Sequence, residues 1–355
     1  MLAFCIAAFA ALDTLTSGDA RTVVINRATV LTDMLELYAS ADVLNTPLNV
    51  TFAGEIGEDF GGLTKEVFTS FWQEAYKEYF IGENCLVPFL PLYRVRKEGQ
   101  HFTALGRVLS HMVQLTKSVP CMLAKSTYIQ LDFGTPPNDT CLLQDLLAFV
   151  TTSERALLGK AMSSFDLCSA RDRDLLLSFY CAHDMHTMPR ASDIRDQLLS
   201  IAYSIFVTKP TELYAKMRLG IPASHQEVFW GHLTIPDLNS LIVRQRPSQD
   251  RVVQCLVAES EDLRPEEQRA LYFLQQVILG LQLDELQQFL HFVTGSIDMP
   301  CNGIKVSFMA TGYSFVAHTC YNTLEVPVAF QSLQEFRRAL RAILQSPYSY
   351  DFTLA

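Results

Sequence analysis

Between Ala258 and Arg269 (AESEDLRPEEQR) the chain changes character: seven of these twelve residues are charged. Pro265 within it stands where a first helical residue is expected, since its fixed φ suits that position and its missing N–H has no partner to lose there. The break divides 355 residues into a long amino-terminal part and a short carboxy-terminal one. About 90 residues is a workable domain size, and the whole length fits two domains at about 100–200 residues each. We therefore expect domains at 21–260 and 270–355 with a hinge at 261–269 between them. A solvated helix start is the commoner meaning of such a charge run.

Beyond the break the pattern predicts a compact series of elements. A helix carries Leu271, Leu274, Val277 and Ile278 ahead of Gly280, and Asp284 with Gln287 three residues later reads as a capping box opening a second helix through Phe292. Gly295 ends that helix, Asn302-Gly303 makes a turn, and strands follow at Lys305–Phe308, Phe315–His318 and Thr323–Val326. A last helix, Leu333–Leu344, keeps Leu333, Phe336, Leu340, Ile343 and Leu344 on one face. This is a small α/β unit.

The long part opens with strand-like Thr22–Ile25 and Leu48–Phe52, with a helix over Val30–Tyr38 between them. After Gly61 and Gly62, the positions Val67, Phe68, Phe71, Trp72, Ala75, Tyr76 and Tyr79 follow the three-and-four spacing of an amphipathic helix. Another helix covers Thr103–Leu115. From Leu142 to about Leu219 the pattern is mostly helical, after a turn cluster at Gly134–Asp139. The expected class is α+β. Residues 1–20 stand apart, because Leu2–Leu12 (LAFCIAAFAAL) is an unbroken apolar run. It lacks the preceding basic residues of a signal peptide and falls short of the about 20 residues that span a membrane. We expect a buried or partner-covering helix, or the cut end of a longer protein, and no membrane span.

Composition narrows the function. With 49% apolar and 19% charged residues the chain is too greasy for a disordered one. Its net charge of -10 opposes the phosphate attraction on which nucleic-acid binding rests, so no nucleic-acid partner is expected. Nine scattered cysteines fit free thiols in a reducing compartment, cytoplasmic or nuclear.

Three constellations could carry chemistry. Gly57–Lys65 (GEDFGGLTK) spaces two glycines as a phosphate loop does, but Leu63 stands where the lysine belongs, and Glu55, Glu58 and Asp59 would repel a triphosphate. The glycines read better as a strand-to-helix turn, which leaves unexplained why Glu55, Asp59 and Glu66 crowd it. Cys181, His183 and His186, with Cys168 upstream, match no standard zinc spacing, and no metal or other cofactor is expected. The third is Ala317–Asn322 (AHTCYN), a loop between two strands. A nucleophilic cysteine must be reachable and have its thiolate favoured by neighbouring donors or positive charge, which His318 and Thr319 beside Cys320 could help supply. From the residues alone, a buried thiol beside a surface histidine remains open, as does a cysteine hydrolase using a distant histidine such as His101.

These residues lie in an ordered set of blocks: TVVINRATVL (Thr22–Leu31), VTFAGEIGEDFGGLTKEVF (Val50–Phe68), HFTALGRVLSHMV (His101–Val113), FVTGSIDMPCNG (Phe292–Gly303) and AHTCYNTLEVP (Ala317–Pro327). In their order and separations they resemble the catalytic domain of a HECT-type ubiquitin ligase, from about Arg21 to Ala355. The resemblance implies a bilobal fold, with a large, mostly helical amino-terminal lobe hinged to a small α/β lobe. It implies that Cys320 accepts ubiquitin as a thioester from a ubiquitin-conjugating enzyme and passes it to a lysine of an unnamed protein substrate. It assigns His318 and Thr319 to positioning the thioester, Asp59 and Glu66 to assisting the attacking amine, and Phe352 to docking between lobes. The family's usual proline five residues before the cysteine is Phe315 here, and a usual tyrosine is Ala329. The conjugating enzyme should dock within about 142–241, yet Leu142–Leu241 has no matching stretch, so no docking residues are assigned. The alternative is a catalytically inactive HECT-like module that binds ubiquitin or another protein.

Overall fold

The computed structural model describes residues 2–16, 18–55 and 59–345. In chain order its helices are α1 (Leu2–Asp13), α2 (Val30–Leu37), α3 (Gly62–Tyr79), α4 (Leu92–Glu98), α5 (His101–Thr116), α6 (Lys125–Asp132), α7 (Asp139–Phe149), α8 (Thr152–Ser164) and α9 (Ala170–Ala182). They continue with α10 (Ile194–Tyr203), α11 (Thr211–Gly220), α12 (Ala223–Val228), α13 (Ile235–Gln245), α14 (Gln249–Gln254), α15 (Pro265–Leu279), α16 (Leu283–Thr294) and α17 (Leu333–Leu344). The strands are β1 (Arg21–Ile25), β2 (Leu48–Phe52), β3 (Phe80–Ile81), β4 (Val87–Pro88), β5 (Leu256–Ala258), β6 (Ile304–Met309), β7 (Val316–His318) and β8 (Thr323–Pro327). The class is α+β, mostly helical with small sheets.

The chain forms two compact units, one of Met1–Glu74, Val108–Cys121 and Asn239–Ala355, the other of Ala75–Arg107 and Met122–Leu238. In the first, β1 and β2 pair in parallel, with Val23 opposite Val50 and Ile25 opposite Phe52. Those four side chains are buried, as alternation requires of a pair with one covered face. The first turns of α3 bury Val67, Phe68, Phe71 and Trp72, and His111 at the heart of α5 accepts or donates a 2.7 Å bond with the Tyr38 hydroxyl. α1 is a helix whose Ala8 and Leu12 are buried, and the Gln114 amide closes its end by donating to the Leu12 carbonyl at 3.1 Å. Among the described residues no helix is long and apolar enough to cross a membrane.

The carboxy-terminal sheet of the same unit has the order β5-β6-β8-β7. β6 is parallel to both β5 and β8, whereas β7 and β8 are antiparallel neighbours. Helices α15, α16 and α17 supply Leu274, Ile278, Phe289, Leu290, Val293, Phe336 and Leu340 to its core. Phe315 is buried there too, 5.0 Å ring to ring and edge-on to Phe336, so the position where the resemblance leads one to expect proline is filled by a core aromatic. This core begins earlier than the charge run: Val252 of α14 is part of it, and β5 pairs with β6 from Leu256 opposite Ile304 to Ala258 opposite Val306. Residues 261–269 thus lie inside this unit, with Pro265 as the first residue of α15. The start of α16 also differs from expectation. Its capping pair is Gln282 and Glu285 rather than Asp284 and Gln287, because Gln282 is the residue with extended backbone, and its N–H donates to the Glu285 carboxylate at 3.1 Å.

The second unit is helical apart from the β3–β4 pair. Its helices start on strong caps: Asn138 accepts from the Cys141 N–H, and Thr151 with Glu154 and Ser169 with Asp172 form capping boxes. Gly106 and Gly220 let α5 and α11 approach closely, since a Cβ on Gly106 would fall 1.9 Å from the Met217 carbonyl oxygen and one on Gly220 would fall 2.0 Å from that of Thr103.

Candidate active site

The strand pair β7–β8 presents the cysteine. His318 lies opposite Thr323, and the four residues between them close in one 3-10 turn, Thr319–Tyr321, followed by Asn322. Asn322 has φ 49°, a left-handed conformation that asparagine tolerates better than most side chains, so the chain reverses without glycine. Thr319 is buried, Cys320 half-buried and Tyr321 69% exposed, which puts Cys320 at the partly exposed rim of the turn. His318 is exposed and its Nε2 lies 2.8 Å from Glu325 Oε1 on the neighbouring strand.

The turn packs against the start of α3. A Cβ placed on Gly62 would lie 2.6 Å from Thr319 Oγ1 and 3.0 Å from Cys320 Sγ, so this contact admits only a hydrogen. One helical turn further, Lys65 Nζ donates to Asn322 Oδ1 at 3.1 Å, while Asn322 Nδ2 donates to the Gly303 carbonyl at 3.5 Å and its own carbonyl accepts from the Lys305 N–H at 2.9 Å. Burial lowers the Lys65 pKa, and negative charge on Cys320 and Cys301 offsets only part of that. α3 makes two more such contacts: Thr69 Oγ1 donates to the Gly295 carbonyl at 3.1 Å, and Glu66 meets His291 Nε2 on α16.

Of the acids that crowd this turn, Asp59 is a hub. Its Oδ1 accepts from the Gly61 N–H at 2.8 Å and the Thr64 N–H at 3.3 Å, and its Oδ2 from the Val50 N–H at 2.9 Å and the Thr64 hydroxyl at 2.5 Å. It thereby caps α3 and ties it to β2. Glu66 is 1% exposed and is gripped by Arg27 Nη1 at 2.9 Å, the Ser70 hydroxyl at 3.1 Å and His291. Burial pushes its pKa up, but His291 and Arg27 outweigh that and hold it below the usual carboxylate range. Arg27 also binds Glu55 and stacks its guanidinium 3.9 Å from the centre of the Phe52 ring. In this conformation the oxygens of Asp59 and Glu66 are engaged within the protein.

The structure therefore gathers His318, Thr319 and Cys320 on one turn and sets Gly62 against it, with Asp59 and Glu66 bonded around the start of α3. Phe352 lies outside the described residues. His101 belongs to the other unit, where it bonds the Tyr79 hydroxyl at 2.8 Å. Cys181 is exposed and the His183 ring packs 4.7 Å from that of Phe179. Among the described residues no group of three histidines, cysteines and acids could hold a metal ion. Sequence reasoning passed over Lys65, Asn322, Arg27 and His291. Asn322, an asparagine between two strands, carried a turn signal; the other three carried none, because their partners are remote in sequence.

A cavity of about 160 Å³ lies beside this turn, lined in part by Lys65, Lys117, Asp298, Cys301, Asn302 and Asn322. Asp298 is 5% exposed, and burial raises its pKa to about 7 despite a hydrogen bond with Cys121.

Residues 236–353 match the model of the HECT-domain (ubiquitin-transferase) family. Over 361 aligned residues the chain is 25% identical to the probable E3 ubiquitin-protein ligase HECTD2 of Pongo abelii and equally to that of Homo sapiens. Each alignment covers 89% of this chain and 44% of the relative, so the chain spans less than half the length of these curated relatives.

Proposed function

Since this chain carries a divergent HECT-type domain, we propose that it is a ubiquitin-protein ligase whose covalent intermediate forms on Cys320. The observation that carries the reading is the placement of Cys320: a thiol at the rim of a tight turn, within reach of a large partner and pressed against the first turn of α3. Such a thiol suits exchange with a protein-bound thioester better than hydrolysis of a small molecule in a closed pocket. The Cys320 thiolate attacks the thioester carbonyl carried by a ubiquitin-conjugating enzyme, the new C–S bond forms, and the enzyme's own cysteine leaves as thiolate. One thioester replaces another, so the step needs mainly proximity and orientation. A lysine amine of the protein substrate then attacks the same carbonyl, loses a proton, and expels Cys320 as the isopeptide bond forms.

In this reading His318 and Thr319 orient the thioester. A substrate lysine is protonated at neutral pH, with an ordinary pKa of about 10.4, so an acid that orients it and takes its proton is useful. Asp59 and Glu66 are assigned that role, which requires the bonds to Thr64, Val50, Arg27 and His291 to open first. Phe352 is assigned to holding the closed arrangement, with the carboxy-terminal elements moving about 261–269, which requires the β5–β6 pairing to open first. The conjugating enzyme docks within about 142–241. The thiol needs a reducing compartment, cytoplasmic or nuclear.

The second reading, a HECT-like module that binds without transferring, is favoured by one observation: the family match starts at 236 and leaves the preceding region uncovered. Incubation with activating enzyme, a panel of conjugating enzymes, ubiquitin and ATP separates the two. A ligase gives a reductant-sensitive ubiquitin adduct that disappears in Cys320→Ala. Absence of that adduct across the panel sinks the ligase reading in favour of the module. Asp59→Asn and Glu66→Gln should retain the adduct and discharge it more slowly to lysine.

A further inference from the structure

The basic group that the fold brings to the cysteine turn lies on α3, far from the turn in sequence. Lys65 and Asn322 are 257 residues apart, yet the Lys65 ammonium donates to the Asn322 side chain at 3.1 Å. Asn322 is the left-handed residue on which the turn depends, and its amide reaches the Gly303 carbonyl on the other side. Lys65 thus holds the residue that sets the direction of the chain immediately after Cys320. Its side chain also starts one helical turn beyond Gly62, whose backbone touches Thr319 and Cys320. Burial lowers the Lys65 pKa, and negative charge on Cys320 and Cys301 raises it in part.

We propose that Lys65 is a positioning residue for Cys320, fixing the 319–322 turn through Asn322 and setting a positive charge at the turn that carries the sulfur, where negative charge collects during transfer. The proposal deepens the ligase reading and rests on it for its biological meaning. Its physical content, the effect of Lys65 on the thiol, holds for the cysteine whether or not ubiquitin is the acyl group. The role is distinct from that of a general base: Lys65 takes no proton from the nucleophile and makes no covalent bond. It acts on sulfur as the attacking group in the first step and as the leaving group in the second. Burial makes the ammonium costly to keep here, and negative charge on Cys320 and Cys301 offsets part of that cost, while Asn322 Oδ1 accepts one of its hydrogen bonds. A lysine serving only as surface charge would sit in water instead.

The test compares Lys65→Met, Lys65→Gln and Lys65→Arg with the unmodified chain, each checked for folding by circular dichroism and thermal melting. Alkylation of Cys320 by iodoacetamide at neutral pH, followed on the Cys320 peptide by mass spectrometry, should slow about tenfold in Lys65→Met and Lys65→Gln. Lys65→Arg should stay within about twofold, because it restores the charge. Asn322→Ala, which frees the ammonium from the turn, should also slow alkylation. A folded Lys65→Met or Lys65→Gln that alkylates at the unmodified rate overturns the proposal. In single-turnover loading from a conjugating enzyme, the same variants should lower the maximal rate while leaving the half-saturating concentration unchanged; a change in half-saturation alone assigns Lys65 to docking and overturns the proposal too. The two readings fail separately. No adduct with any conjugating enzyme, together with slowed alkylation, removes the ligase and keeps Lys65; an adduct with unchanged alkylation does the reverse.

Discussion

Gly62 and Cys320 touch so closely that one added carbon on the glycine would stand 3.0 Å from the sulfur and 2.6 Å from the neighbouring Thr319 hydroxyl. The first turn of α3 and the cysteine turn are therefore matched at the level of a single methyl group. Gly62→Ala forces either the Thr319 and Cys320 side chains or the helix start to shift, at a cost of about 1–3 kcal/mol, the usual range for overpacking. Thr319→Ala removes the nearer obstacle, so the two substitutions should be non-additive by at least about 0.5 kcal/mol in a double-mutant cycle of denaturant melts. Strict additivity would show that the contact is not made in solution.

How much of this was legible in advance depends on whether the signal was local. β2 spans the same five residues that alternation marked, Leu48–Phe52, and α17 spans Leu333–Leu344 as its apolar stripe requires. Both patterns are written in consecutive residues. β5 escaped notice because three residues cannot display alternation and its partner strand lies across α15 and α16. Composition marks the charge run as a boundary, and the pairing of Leu256–Ala258 with β6 joins residues on either side of it. At the site, the turn around Cys320 was readable from its strands and its asparagine. Its surroundings were not, since Glu66 meets His291 225 residues away and Lys65 meets Asn322 257 residues away.

Glu66 is almost wholly buried between Arg27 and His291, so Glu66→Gln leaves two basic side chains with a neutral partner in a dry site. Loss of a charge-assisted bond of this kind costs about 2–3 kcal/mol, reduced here because Arg27 keeps Glu55. The folded-state pKa of Glu66 lies below its ordinary value, so its contribution is complete above the ordinary carboxylate range and is lost as pH falls through the depressed value. Thermal melts of the unmodified chain and Glu66→Gln should therefore differ most at neutral pH and converge in strong acid. A difference that grew on acidification would reverse the assigned sign.

Asp298 behaves in the opposite sense. Burial raises its pKa to about 7, and its Oδ1 has no hydrogen-bond partner among the described residues. Its unfolded-state pKa is about 3.9, so its contribution is complete below that value and is lost as pH rises through about 7, where the folded protein must carry a buried charge. Asp298→Asn removes the ionisation and should be more stable than the unmodified chain by about 1–3 kcal/mol at pH 8, with no advantage at pH 4. Melting temperatures across that range measure it. An equal offset at both pH values would mean that packing rather than charge distinguishes the two chains.

Asp59 offers the sharpest separation of folding from chemistry near the candidate site. All its acceptor capacity toward α3 and β2 is in use, with bonds from the Gly61, Thr64 and Val50 N–H groups and the Thr64 hydroxyl. Asp59→Ala removes the cap and orphans the Val50 donor, so it should cost about 1–2 kcal/mol in a urea melt. Asp59→Asn keeps one acceptor oxygen and should lie between. If the carboxylate also serves an incoming amine, discharge of the Cys320 adduct should slow in Asp59→Asn by more than its stability loss explains, and the deficit should shrink as pH rises and the lysine deprotonates unaided. Discharge at the unmodified rate in a folded Asp59→Asn would confine this residue to capping α3.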